Sequence, residues 1–148
     1  MMIKNYELRI KRVKVSEPEA AYIGAKVTGP ETVTHVARHI FGDSAQEHFA
    51  IFHLDSQHSI LGYTEAARGG ITNCPVDISV VLRAALTVGA SAIIAVHNHP
   101  SGNVAPSAAD KQLTKRLQAA CELVGVAFLD HVIVTDASSF SFAGHQLL

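Results

Sequence analysis

Two periods of apolar spacing run along this chain and mark its elements. Residues Met1 to Val15 are basic and partly alternating, with Tyr6, Leu8 and Ile10 on one side, and fit a strand or a loose arm. Gly29-Pro30-Glu31 opens a helix, because proline suits the first helical position and an acid suits the first turn. That helix runs to about Phe41, stops at Gly42 and turns Val33, Val36, Ala37 and Ile40 inward. His48 to Leu54 is a strand, Asp55 to His58 a turn, and Ser59 to about Ala67 the returning strand of a hairpin. Pro75 opens a second helix with Asp77 in its first turn. Its apolar face is Ile78, Val81, Leu82, Ala85 and Leu86, and Gly89 closes it. The apolar run Ala92 to Val96 is a strand that ends at His97. A third helix spans Ala108 to Val124, with Leu113, Leu117, Ala120 and Val124 inward, and stops at Gly125. Val126 to Leu129 and Val132 to Thr135 are strand segments, followed by Ser139 to Phe142 after a turn at Asp136.

Strands interleaved with helices predict an α/β (α+β) sandwich: a mixed central β-sheet flanked by helices. The expected organisation is a basic N-terminal arm or strand over residues 1–28 and one domain over 29–148. A chain of 148 residues, 48% of them hydrophobic and 17% charged, can bury a core of that kind and is not disordered. The formal net charge of −1 gives no global case for nucleic acid. Lys4, Arg9, Lys11, Arg12 and Lys14 do cluster, as a solvated arm or as a weak, salt-sensitive phosphate contact. Cys74 and Cys121 form no disulfide framework and suit small buried positions in a reducing compartment. Charges occupy the N-terminus where a secretory signal needs an apolar core, and no apolar run reaches membrane length. The expectation is a soluble cytoplasmic protein.

The chemistry concentrates in His97-Asn98-His99-Pro100-Ser101-Gly102, with Ser107 and Asp110 downstream. Residues i and i+2 of a strand share a face, so His97 and His99 can aim at one point where the strand gives way to loop. Pro100 to Asn103 is turn chemistry, and Pro106 then stops the loop. Ser107 suits a helix N-cap, and Asp110 falls in the first helical turn, where the helix dipole favours a carboxylate. Two histidines and an aspartate make a three-ligand zinc set with the fourth position left to water. Ser-x-x-Asp is also a capping box, and both roles can hold for Ser107. His35 and His39, one helical turn apart, lack the internal glutamate of the zincin motif and suit a surface pair. His53, His58 and His131 suit satisfied polar positions, with Asp130-His131 as a possible support for a zinc-bound imidazole. The letters His-Asn-His are contiguous here, which does not match the dispersed nuclease motif of that name.

His97-x-His99 with Ser107 and Asp110 resembles the JAMM motif of JAB/MPN-type metalloproteins. The string from His97 to Asn103, Leu129 to Val134, Leu54 to His58 and Thr114 to Leu117 resemble the RadC branch of that family. Longer RadC proteins add an N-terminal helix-hairpin-helix-like region, and 148 residues leave no room for it, so the short form is expected. The resemblance implies a cytidine-deaminase-like sandwich and one Zn²⁺ held by His97, His99 and Asp110. It implies hydrolysis of amide or isopeptide bonds in a peptide or modifier-linked protein. The RadC branch also carries a DNA-repair label. Amide hydrolysis needs a general base. Relatives take it from an earlier strand, where Glu65 is the best match and Glu47 the alternative; Ser107 would steady the oxyanion. The other reading is a DNA-associated or protein-interaction module with structural zinc.

Overall fold

In a computed structural model of the chain, residues 22–41, 44–69 and 75–148 are described. The basic cluster from Lys4 to Lys14 and Cys74 lie outside them. The elements are α1 (Pro30–Phe41), β1 (His48–Leu54), β2 (Ile60–Arg68), α2 (Ile78–Val88), β3 (Ala92–Asn98), α3 (Ala108–Val124), β4 (Ala127–Val134) and β5 (Ser139–Ser141). The five strands make one sheet in the order β2-β1-β3-β4-β5. β1 lies antiparallel to β2 and to β3, β3 parallel to β4 across the α3 crossover, and β5 antiparallel to β4. The expected mixed sheet flanked by helices is the one found.

Every residue of β1 and β3 is buried, because helices cover both faces of the sheet. On one face Val33, Val36, Ala37 and Phe41 of α1 pack on Ala50, Phe52, Leu54, Ile94 and Val96. On the other, Val81 and Ala85 of α2 with Leu117 and Cys121 of α3 pack on Phe49, Ile51, Ile93 and Ala95. Alternate residues of one strand thus serve two different cores. Burial pushes the Cys121 thiol up to about 11, so it stays an inert apolar filler. Tyr22, Ala25 and Val27 also pack on the α1 core, and Lys26 bridges to Ser59. The exposed His35 and His39 contact the ring of Tyr22.

Three details depart from the sequence expectation. Asp77 is the N-cap of α2, accepting from Ser79 N at 2.8 Å, and the helix starts at Ile78. Leu86 and Val124 are exposed near the ends of their helices, while Thr114 and Cys121 take inward positions on α3. β4 is continuous through Asp130 and His131, both buried. Asp130 escapes the usual cost of burial because its carboxylate accepts from three donors: His131 N at 2.7 Å, Ala143 N at 2.9 Å and Ser141 Oγ at 2.5 Å.

Candidate metal centre

The site forms where β3 ends and α3 begins, at the carboxyl end of a parallel strand, the usual place for a site on an α/β sheet. His97 lies opposite Phe49 in the β1–β3 register and its ring stacks on it, with centroids 5.7 Å apart. Gly102 takes φ +80, a conformation that favours glycine, and its N–H closes a turn on the His99 carbonyl at 3.0 Å. That turn presents the Asn103 carbonyl to His99 Nδ1 at 2.6 Å. Ser107 and Asp110 complete a reciprocal capping box. Asp110 N donates to Ser107 Oγ at 3.0 Å, and Ser107 N and Oγ each donate to Asp110 Oδ2 at 2.7 Å. The cap therefore aims Asp110, and capping and site-building are one arrangement.

His97, His99 and Asp110 come together, and Glu47 joins them: one ligand atom from each lies within 4.8 Å of all the others. His97 Nε2 is 2.9 Å from His99 Nε2, 3.3 Å from Asp110 Oδ1 and 4.0 Å from Glu47 Oε1. His99 Nε2 is 3.5 Å from Asp110 Oδ2. His97 is fully buried, whereas Glu47 keeps a quarter of its side chain exposed at the open edge. A cavity of about 490 Å³ begins there, bordered by Glu47, His99, Ser107, Asp110, Gln112 and Arg116. A larger one of about 580 Å³ touches the other side of His99, but neither Glu47 nor Asp110 is in its wall.

The electrostatics of the group ask for positive charge at its centre. Burial alone would push the Asp110 carboxyl up. The facing His97 and His99 outweigh that and hold it well below the usual carboxylate range. Asp110 in turn raises His99 against the opposing effect of burial. His99 uses its Nδ1 proton on the Asn103 carbonyl, so a neutral His99 offers a lone pair at Nε2. Two imidazole nitrogens and two carboxylates that converge on one point form an acceptor-rich set, and its chemistry fits a divalent metal such as zinc.

Glu65, the first expectation for the base, is elsewhere. It pairs with Ala50, whose side chain belongs to the α1 core, so the two share the face of the sheet opposite to His97. A bulge inserts Ala66 between Glu65 and Ala67, which stands opposite Phe49. The Glu65 carboxylate accepts from Arg68 Nε at 3.0 Å, from Arg68 Nη2 at 2.9 Å and from His48 Nδ1 at 2.5 Å. Of the other histidines, His53 bonds Thr64 Oγ1 at 2.9 Å, and burial lowers its pKa to about 4. His58 sits in the hairpin turn at φ +63.

Asn98 received no role from the sequence, yet it fixes the strand entry that carries Glu47. Its Oδ1 accepts from His48 N at 2.6 Å, and its Nδ2 donates to the Gln46 carbonyl at 2.9 Å. The amide thus clasps the backbone on both sides of Glu47. The hint in the sequence was a short polar residue at the centre of His-x-His, in a strand whose other central positions are apolar.

An α/β sandwich with this group at the joint of β3 and α3 has the architecture of a JAB-type domain. A family model described as RadC-like JAB domain matches residues 27–147, and the chain belongs to that family. It is 42% identical over 122 residues to a UPF0758 protein of Delftia acidovorans, covering 82% of this chain and 54% of that protein. It is 40% identical over 118 residues to one of Burkholderia ambifaria (80% and 46%), and 37% identical over 129 residues to one of Chlorobaculum parvum (87% and 58%). The chain spans about half the length of these relatives. Among the described residues no helix is long and apolar enough to cross a membrane.

Proposed function

We propose that the protein is a zinc-dependent hydrolase of amide bonds, of the metallopeptidase or isopeptidase type, with Glu47 as its general base. The observation that carries this reading is the place of Glu47. Its carboxylate stands at the cleft edge of the His97, His99 and Asp110 group, within 4.0 Å of His97 Nε2. His97, His99 and Asp110 would hold the metal. A bound zinc would polarise the scissile carbonyl and lower the pKa of water to about 7. Glu47 takes the proton of the attacking water and returns it to the leaving nitrogen. The cleft bordered by Gln112 and Arg116 receives the chain on one side of the scissile bond. Ser107 faces the same cleft, and its hydroxyl can turn from Asp110 towards the developing oxyanion. The substrate class is a peptide or an isopeptide-linked protein.

The test is turnover of a peptide and isopeptide panel by zinc-loaded protein. Glu47→Gln keeps the size of the side chain but cannot accept the proton. It should retain the metal and lose about 10²–10⁴-fold in rate. Glu65→Gln should leave the rate within about twofold of wild type, since Glu65 does not touch the cleft. Failure of zinc-loaded wild type to cleave any amide would replace the hydrolase with an interaction module built on structural zinc.

A further inference from the structure

We infer that Thr114 and His131 are positioning residues of the metal centre: they fix the tautomer of His97 so that a lone pair, not a proton, leaves its Nε2. This rests on the metal-holding part of the function proposed above. The chain of bonds is buried. The Thr114 hydroxyl donates to the Asp110 carbonyl at 2.7 Å. It has a single proton, so towards His131 Nδ1, 2.6 Å away, it is the acceptor. His131 therefore carries its proton on Nδ1. Its Nε2 is left to accept, and its neighbour at 2.8 Å is His97 Nδ1. His97 donates that proton, and its Nε2 turns a lone pair towards His99 and Asp110. Reversing the Thr114 hydroxyl would reverse every link and place a proton on His97 Nε2, where a metal has to bind.

The rings that carry this chain have little freedom to turn. His97 and His131 are both fully buried. Phe49 stacks on His97, and Phe142 stacks on His131 with centroids 4.7 Å apart and planes 13° from parallel. His131 has no exposure to solvent, and burial of that kind disfavours a charged imidazolium. A neutral imidazole thus takes the place that a carboxylate or a backbone carbonyl usually fills behind a zinc-bound histidine. The relay also runs from helix to strand. Thr114 is one turn beyond Asp110 on α3, and His131 stands beside Ala95 in the β3–β4 register. The same bonds that orient His97 tie it to the turn of helix that presents Asp110.

The probe is zinc alone. In zinc-loaded wild type, imidazole ¹H–¹⁵N correlations should place the His131 proton on Nδ1 and leave its Nε2 unprotonated. Chelator competition should show Thr114→Val, which keeps the shape but loses the hydroxyl, binding zinc about 10–100-fold more weakly. Thr114→Ser should restore the affinity. A proton on His131 Nε2, or a Thr114→Val protein that binds zinc as wild type does, would overturn the relay and leave the hydrolase reading intact. Wild type that takes up no zinc would overturn both. Should Thr114→Val fail to fold, the wild-type tautomer decides the matter without it.

Discussion

Two carboxylate–histidine clusters lie at one end of the sheet, on its opposite faces, and they differ in how their polar atoms are arranged. On the α1 face, Glu65 accepts from both nitrogens of the Arg68 fork and from His48 Nδ1. His48 Nε2 lies 2.7 Å from the Ser44 hydroxyl, and its ring stacks on Phe41. The guanidinium lies 2.9 Å from the carboxylate and offsets its charge. On the α3 face, His97 and His99 turn their Nε2 atoms towards each other and towards Asp110, with Glu47 beside them. One ligand atom from each of these four residues lies within 4.8 Å of the others, so the set converges on one point. One cluster is built around its own guanidinium, and the other turns four ligand atoms to a common point, as a metal site does. Proximity of glutamate to histidine does not separate them; the convergence of ligand atoms on one point does.

The largest break in this comparison comes from removing ligands. His97→Ala, His99→Ala and Asp110→Ala should each abolish stoichiometric zinc, measured by metal analysis after stringent desalting. The wild-type expectation is one zinc per chain. His48→Ala, on the other face, should leave zinc content unchanged. Zinc retained in full by all three ligand variants would remove the distinction between the clusters.

A smaller effect sharpens it. Asn98 connects the two faces, because its amide clasps Gln46 and His48 around Glu47. Asn98→Ala should leave zinc bound and lower kcat by about tenfold to a hundredfold, since Glu47 loses its fixed distance to the centre. It also strands a buried backbone N–H, which costs about 1–3 kcal/mol of stability. Denaturation and kinetics together separate the two losses. A drop in stability with kcat unchanged would make Asn98 a structural residue only.

How much of this was legible in the sequence depends on whether a signal was local. The bounds of α3 were legible, because Ser107 and Gly125 punctuate the chain next to the helix they bound. So were β1 and β3, as apolar runs, and the convergence of His97 with His99 follows from strand parity. The choice between Glu47 and Glu65 was not local. It turned on which face β2 presents at Glu65, and the bulge at Ala66 and the pairing with Ala50 decide that across strands. β4 looked interrupted at Asp130-His131 because two polar residues break an apolar run. The groups that satisfy them, Ser141, Ala143, Thr114 and His97, come from other elements. Leu86 and Val124 fit their helical stripes, but which turns of a helix are covered is decided by tertiary packing.

The smallest expected effect belongs to the cluster built around the guanidinium and tests whether it is only that. Arg68 above all, and then His48, hold the Glu65 carboxyl below its ordinary value of 4.5, against the upward push of burial. A carboxylate whose folded pKa is depressed contributes stability above its unfolded pKa, and the contribution is lost as pH falls through the folded one. Glu65→Gln removes the ionisable group. The stability gap between wild type and variant should therefore be full near neutral pH, begin to close below about pH 4.5 and vanish in stronger acid. A third of the Glu65 side chain is exposed, so solvent screens the pair and the gap should stay under about 1 kcal/mol. Urea midpoints of the two proteins across that range measure it. A gap that persists in strong acid would mean that Glu65 supports the fold by shape and not by charge. A loss of zinc in Glu65→Gln would be the more serious outcome, because the two faces of the sheet would then share one centre and the contrast between the two clusters would fail.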